Sequence, residues 1–354
     1  MRPSLSRKEK IGFMTSYEKV MRTLNGENPS SAARQMWLLP WTFDHYKKEH
    51  DAIKEKYPDD IVHIGAYFHT PPAMVKGNPY EPGEYVDDWG CVFTNIHKGV
   101  MGEVRTPLVQ DEEWEDVDNV HIPYEWLTFE IDEVNKNCVE YGKDKFKLSG
   151  ACPRPFERLQ FIRGSENFYI DLMLRPEKMM TFMKKMHEFY CELMEKWAKT
   201  DVDGLTFMDD WGSQNSLLIN PELWRELFKP MYKDYIDIAH AHGKKAFMHS
   251  DGYILDIYPD LIELGLDAIN SQLFCMGVEN LAPFKGKITF WGEMDRQHLL
   301  VDGTPQDIEK AVRQVYDTLW ANGKCIAQCE FGPGAKPENV EAVYRTWEEL
   351  TRRG

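Results

Sequence analysis

Six short apolar runs in this chain end in residues that can do chemistry. The run 204–208 ends in Met208-Asp209-Asp210-Trp211, and 244–248 in His249-Ser250-Asp251-Gly252. The run 266–270 ends in Asn270-Ser271-Gln272, and 287–291 in Gly292-Glu293-Met294-Asp295. The run 324–328 ends in Cys329-Glu330-Phe331-Gly332, and 146–150 in Ala151-Cys152-Pro153-Arg154. A neutral imidazole, a carboxylate and a thiolate are all zinc ligands, and three protein ligands with one open position make a catalytic zinc site. A thiolate in the set favours zinc over the harder magnesium or calcium. The separation of His249, Glu293 and Cys329 is far too long for a zinc finger, so only a fold that gathers strand ends could assemble them. A buried His is as readily a satisfied structural group, and a lone Cys an apolar filler; the shared position at strand ends is what favours the metal. Asp209 and Asp210 are adjacent, so on a continuing strand their side chains point to opposite sides. One of them could orient substrate or relay a proton while the other caps a loop. Asn270 and Gln272 are candidates for hydrogen bonds to substrate. Arg154, after Pro153, could grip a carboxylate or phosphate, or make a surface ion pair.

These residues need elements to position them. From residue 204 onward, short strands alternate with helices. Asn220-Pro221, a cap followed by Pro at the first helical position, opens a helix over 221–242. Helices are expected over 254–265, ended by Gly265, over 278–284, over 304–323 from Thr304 to Gly323, and over 336–353. Such alternation implies a parallel sheet. In the first half, Thr15 to Glu18 is a capping box that opens a helix to Leu24. Strands are expected over 34–40, 60–68 and 146–151, and helices through Lys199. Residues 85–96 and 102–108 look like a hairpin insertion within 80–110. The total is eight parallel strands, hence an α/β fold: a single (β/α)8 TIM barrel over 1–354, with an N-terminal helical extension over 1–33. In such a barrel, active-site residues sit at the C-terminal ends of the strands. An open doubly wound sheet is the alternative, but no G-x-G-x-x-G follows a strand, so a dinucleotide site has no support.

Composition narrows the partners. The 354 residues carry 42 basic and 58 acidic side chains, a net charge of −16. That argues against nucleic acid and against anionic membrane surfaces. No apolar run is long enough for a transmembrane helix, and MRPSLSRKEKIGFM lacks the apolar stretch of a secretory signal. Seven scattered cysteines do not make a disulfide framework, which suggests a reduced, cytoplasmic protein. The acid cluster from Gln110 to Asp116 reads as a solvated face. Aromatics at 13% are mostly core, with some available to line a pocket for a flat ligand.

The stretches FMHSDGYILDIYPDLIELGLDAIN (247–270), KITFWGEMDRQHLL (287–300), DGTPQDIEKAV (302–312) and Pro337-Glu338-Asn339, with YEKVMRTLNGENP (17–29) near the start, resemble the uroporphyrinogen decarboxylase superfamily. The resemblance spans most of the chain and implies a single-domain (β/α)8 barrel with an N-terminal extension. One branch, the cofactor-free decarboxylases, holds substrate carboxylates with an Arg-Gln-Ala-Gly-Arg segment and pyrroles with the Asp of a Phe-Ser-Asp segment. Here the first reads Arg34-Gln35-Met36-Trp37-Leu38 and the second Ala66-Tyr67-Phe68-His69-Thr70. Both departures count against porphyrinogen chemistry.

The other branch, the cobalamin-dependent methyltransferases, binds zinc through a His-x-Cys and a later Cys. His249 and Cys329 match the first and last of these, and Asp251 stands where the middle Cys would be. Either Asp251 or Glu293 would complete the set. A carboxylate in place of a thiolate leaves zinc a harder Lewis acid, better suited to oxygen. The resemblance therefore implies an O-demethylase-type methyltransferase: zinc polarises a methoxyl oxygen, and the methyl passes to a corrinoid (cobalamin) on a separate corrinoid protein. The expected substrate is a small methoxylated, aromatic molecule. Two rivals share the fold, a cofactor-free decarboxylase and a methylcobalamin-to-thiol or folate methyltransferase. A barrel that binds a ligand without turning it over is a third.

Overall fold

The computed structural model describes residues 14–68 and 72–352. Residues 1–13 of the expected extension, and His69 and Thr70, lie outside them. Eight strands form one sheet: β1 (Ala33–Leu38), β2 (Ile61–Ile64), β6 (Phe146–Ser149), β7 (Gly204–Met208), β8 (Lys245–Ser250), β9 (Ala268–Ser271), β10 (Thr289–Trp291) and β11 (Cys325–Phe331). Their order is β1-β11-β10-β9-β8-β7-β6-β2 and every pairing is parallel. Runs such as GLTFM and KAFMHS are apolar on both faces because both faces are covered, one by the barrel interior and one by helices. The fold is α/β, a nearly closed TIM-type barrel.

The two ends of the sheet meet at a seam between β1 and β2, where two carboxylates replace a ladder. The backbone N–H of Arg34 donates to Asp60 Oδ2 at 2.9 Å, and that of Met36 to Asp59 Oδ1 at 2.9 Å. The Asp60 N–H in turn donates to the Arg34 carbonyl at 2.9 Å. Asp60 also holds the N-terminal helix, Ser16–Asn25, through Ser16 Oγ at 2.6 Å and Lys19 Nζ at 2.9 Å. That helix starts on the expected capping box, in which Thr15 and Glu18 each bond the other's backbone N–H. Its Val20 and Leu24 join Ile61, Phe146, Phe247, Trp291 and Ile326 in one buried cluster, so it closes the N-terminal end of the barrel.

Three expectations are revised. The 80–110 insertion is a three-stranded antiparallel sheet, β3 (Gly83–Val86), β4 (Val92–Asn95) and β5 (Glu103–Val104), not a plain hairpin. The helix expected over 221–242 is two helices, Pro221–Leu227 and Lys229–Ala241. Pro230 lacks the N–H that would continue the first, and the helical hydrogen bonding is interrupted at Phe228, which caps both. The strand expected over 60–68 stops at Ile64. No cysteine is in a disulfide, and among the described residues no helix is long and apolar enough to cross a membrane.

Asp60 carries the seam and the end helix together, and its side chain and that of Lys19 are only 3% and 11% exposed. Losing one partner of a buried pair costs about 3 kcal/mol or more, because the other charge is stranded. Asp60→Ala should therefore lower the urea unfolding free energy by about that amount, and Lys19→Met in the same background should recover part of it. An unchanged midpoint for Asp60→Ala would contradict this view of the seam.

Candidate metal centre

Side chains alternate along a strand, and that period sorts the candidate residues. On β8, Phe247 packs in the interior cluster while Met248 belongs to the layer beneath the helices. His249, two residues after Phe247, therefore faces inward at the mouth, and Asp251 follows it. On β11, Ile326 is interior, so Glu330 faces inward, whereas Cys329 belongs to the outer layer. Beyond β7, Asp210 reaches the mouth and Asp209 does not. His249, Asp210, Asp251 and Glu330 all line one cavity of about 940 Å³, with Trp37, His63, Trp291 and Arg154.

Within that cavity three ligand atoms converge. His249 Nε2 lies 3.5 Å from Asp251 Oδ1 and 3.7 Å from Asp210 Oδ1. Ligands each ~2.1 Å from a tetrahedral ion stand ~3.4 Å apart, so the spacing suits a shared cation. His249 Nδ1 bonds Asn270 Oδ1 at 2.6 Å, and Asn270 Nδ2 donates to the Trp291 carbonyl. The amide is thereby oriented with its oxygen to the ring, which puts the imidazole proton on Nδ1 and leaves the Nε2 lone pair free for a metal. Trp37 packs on the ring at 5.1 Å. Asp251 Oδ1 is buried without a hydrogen-bond partner, and a buried acceptor left this way is costly unless something binds it. The donor set and the orphaned oxygen fit a divalent cation.

The loops carrying the two aspartates cross at glycine. Gly252 has φ +76°, and a Cβ there would stand 2.0 Å from the Gly212 carbonyl oxygen. Only a residue without a side chain allows that approach. The Gly212 N–H then donates to the Asp251 carbonyl, and the Asp251 N–H to Asp210 Oδ1, both at 3.1 Å.

Arg296 was not among the sequence candidates, yet it organises the charges. Its guanidinium bonds Asp251 Oδ2 and Glu293 Oε1, the latter at 2.9 Å, and stands 3.5 Å from Glu330 Oε2. Asp251 is thus gripped by one oxygen while the other is turned to His249. Burial raises the pKa of Asp210 to about 6, with Glu157's charge adding to it and His249 opposing. It raises that of Glu330 also, against Arg296. Glu293 is pushed up to about 8, burial outweighing Arg296.

Several sequence assignments change. Cys329 is not brought to His249: its thiol is fully buried and donates to the Tyr344 hydroxyl at 3.3 Å, toward the last helix, Pro337–Thr351. Burial drives its pKa up to about 12, so it stays a protonated thiol. Glu293 lies behind Arg296 and lines a separate pocket of about 240 Å³ with Gln272, whose Oε1 accepts from the Gly252 N–H. Asp209 is fully buried and accepts from the Glu157 N–H at 2.7 Å and the Tyr232 hydroxyl at 2.5 Å. It anchors the start of the helix Pro155–Arg163 and does not line the cavity. Asn270 serves His249 and has no free face for a ligand. Arg154 does line the cavity, with Glu157 as its ion-pair partner at 2.9 Å. Besides Arg296, sequence reasoning passed over Glu330, although the alternation of 326, 328 and 330 in CIAQCEF placed it inward.

The Glu293 carboxyl holds a proton in the folded state that it loses in the unfolded chain between its ordinary pKa and about 8. Its contribution to stability is full below the ordinary value and is lost as pH rises through about 8. Glu293→Gln keeps an acceptor for Arg296 and should flatten the fall in melting temperature between pH 5 and pH 9. Parallel wild-type and variant profiles would show that Glu293 is ionised throughout.

Comparison with known proteins now adds to the geometry. A family model described as uroporphyrinogen decarboxylase (URO-D) matches residues 92–350. No curated protein matches the chain in sequence. Among solved structures, a methyltransferase from Methanosarcina mazei superposes with a TM-score of 0.66 at 14% identity, covering 95% of this chain and 99% of that one. At that identity the likeness is one of fold. A glycosylated endo-beta-1,4-xylanase from Gloeophyllum trabeum matches with a TM-score of 0.38 at 10% identity, over 61% of this chain and 79% of that one. The family match runs from β4 into the last helix, takes in the segments that carry Asp210, His249, Asp251 and Glu330, and covers more than half of the sequence: the chain belongs to the uroporphyrinogen decarboxylase family.

Proposed function

We propose that the protein is a metal-dependent methyltransferase of the O-demethylase type, which takes a methyl group from a small methoxylated molecule and passes it to a corrinoid protein. The observation that carries this reading is the His249 Nε2 lone pair facing Asp251 Oδ1 and Asp210 Oδ1 in the same large cavity. These three atoms would hold the ion, with Glu330 beside them. A zinc ion held there supplies Lewis acidity toward an ether oxygen, and the corrinoid of a partner supplies the methyl acceptor.

The chain's own residues do the rest. Asn270 holds the imidazole in the tautomer that can ligate. Arg296 fixes Asp251 by its other oxygen, so that the free one stays aimed. Trp37 and Trp291 meet edge to face at 5.3 Å and give the cavity an apolar wall that suits a flat ring. In the transfer, the bond between methyl carbon and oxygen breaks, the oxygen keeps the electron pair, and the carbon bonds to the acceptor. A His and carboxylate ligand set favours oxygen as the leaving atom, as a thiolate-rich set would not.

The test is methyl transfer from methoxylated aromatics to reduced cobalamin, with zinc content measured in parallel. His249→Ala and Asp251→Ala should lose bound zinc and slow transfer by about 100-fold. Cys329→Ser should keep its zinc and stay within about threefold of wild type. Metal-independent release of CO₂ from a carboxylated substrate, with no methyl transfer, would overturn the proposal in favour of a decarboxylase.

A further inference from the structure

A second cluster of ligand atoms lies on the outside of the barrel. His187 and Cys191 are one turn apart on the helix Glu177–Ala198, so both project from one face. Asp234 faces them from the helix Lys229–Ala241. Their ligand atoms all lie within 4.8 Å of one another. Cys191 Sγ is 3.6 Å from His187 Nε2, and Nε2 is 2.9 Å from Asp234 Oδ2. For a tetrahedral zinc with Zn–S ~2.3 Å and Zn–N ~2.0 Å, the two donors stand ~3.5 Å apart, close to the spacing found; Sγ is also 3.9 Å from Nδ1, so the Cys191 side chain must rotate off the ring toward the Nε2 lone pair to share the ion. Asp234 is more than half exposed and free to move out by the few tenths of an ångström that a shared ion needs.

The imidazole also has the support that a metal ligand requires. Its Nδ1 lies 3.2 Å from the hydroxyl of Tyr235, which is fully buried. A hydroxyl both donates and accepts. Without a metal, Nε2–H donates to Asp234 and the tyrosine donates to Nδ1. With a metal on Nε2, the ring proton moves to Nδ1 and the tyrosine accepts it. The bond to Tyr235 survives the exchange and keeps the ring held, while coordination replaces the bond to Asp234. The surroundings are anionic as well. Glu188 and Glu195 act on the Cys191 thiol, as Asp234 does, so a cation relieves local repulsion.

We infer that His187, Cys191 and Asp234 form a second, structural site for zinc or a similar borderline-soft divalent cation, with water in the fourth position, tying the two helices together on the outer ring. On binding, the thiol gives up its proton to solvent and the thiolate bonds the ion. Neither the ligands nor the inference depends on the centre at the barrel mouth.

Cobalt(II) separates the two sites, because only a thiolate ligand gives an intense near-ultraviolet sulfur-to-cobalt charge-transfer band. Chelator-treated full-length protein titrated with cobalt(II) should develop that band to saturation. Cys191→Ser, a near-isosteric change whose fold is checked by circular dichroism, should abolish it. His187→Ala should weaken cobalt binding at this site by at least tenfold, and His249→Ala should leave the band unchanged. No band in the wild type would overturn the inference. So would a band that survives in Cys191→Ser, which would locate the thiolate at another cysteine.

Discussion

The mouth of this barrel holds more buried negative charge than it can neutralise. Asp210, Asp251 and Glu330 converge there, and Arg296 bridges Asp251 and Glu330 to Glu293 in the pocket behind. A carboxylate taken out of water rises in pKa unless positive charge compensates. Asp210, Glu293 and Glu330 all rise, so Arg296 alone does not suffice. A divalent cation between His249, Asp210 and Asp251, as proposed, would relieve that shortage. It would also satisfy Asp251 Oδ1, which has no hydrogen-bond partner otherwise. Within this arrangement Arg296 aims one ligand and shields it from the Glu293 carboxyl behind.

The scaffold is built to hold those charges still. Asp59 and Asp60 stitch the seam by accepting backbone N–H groups where strand pairing ends. The N-terminal helix seals the opposite end with Val20 and Leu24, which leaves the C-terminal mouth as the open one. Gly212 and Gly252 let two loops pass at a distance that no side chain would permit. That crossing sets the aspartates on either side of the imidazole. Each device fixes backbone, and the candidate ligands His249, Asp210 and Asp251 inherit their placement from it.

Much of the fold was legible in the sequence. Strands such as GLTFM and CIAQC, separated by capped helices, announced a parallel barrel, and several of the strand-end residues line one cavity. The choice within each end was less legible, because it depends on a parity that one misplaced residue inverts. Cys329 was favoured for its chemistry, but β11 turns it to Tyr344 and turns Glu330 to the mouth. Asp209 and Asp210 are split by the same rule. Ile326 in the interior cluster fixes the parity of β11, and only the assembled barrel reveals which residues that cluster contains. Arg296 was missed for another reason: it follows β10 by several residues, on a loop whose path periodicity does not describe.

The central claim is that a nitrogen and oxygen ligand set, with no thiolate, forms the metal centre at the mouth. Anomalous diffraction at the zinc edge, from crystals of zinc-loaded protein, tests it most directly. The account predicts a peak within about 2.2 Å of His249 Nε2 and of Asp251 Oδ1, with Cys329 still turned to Tyr344. A peak bonded to Cys329 Sγ, or no peak beside His249, would contradict it.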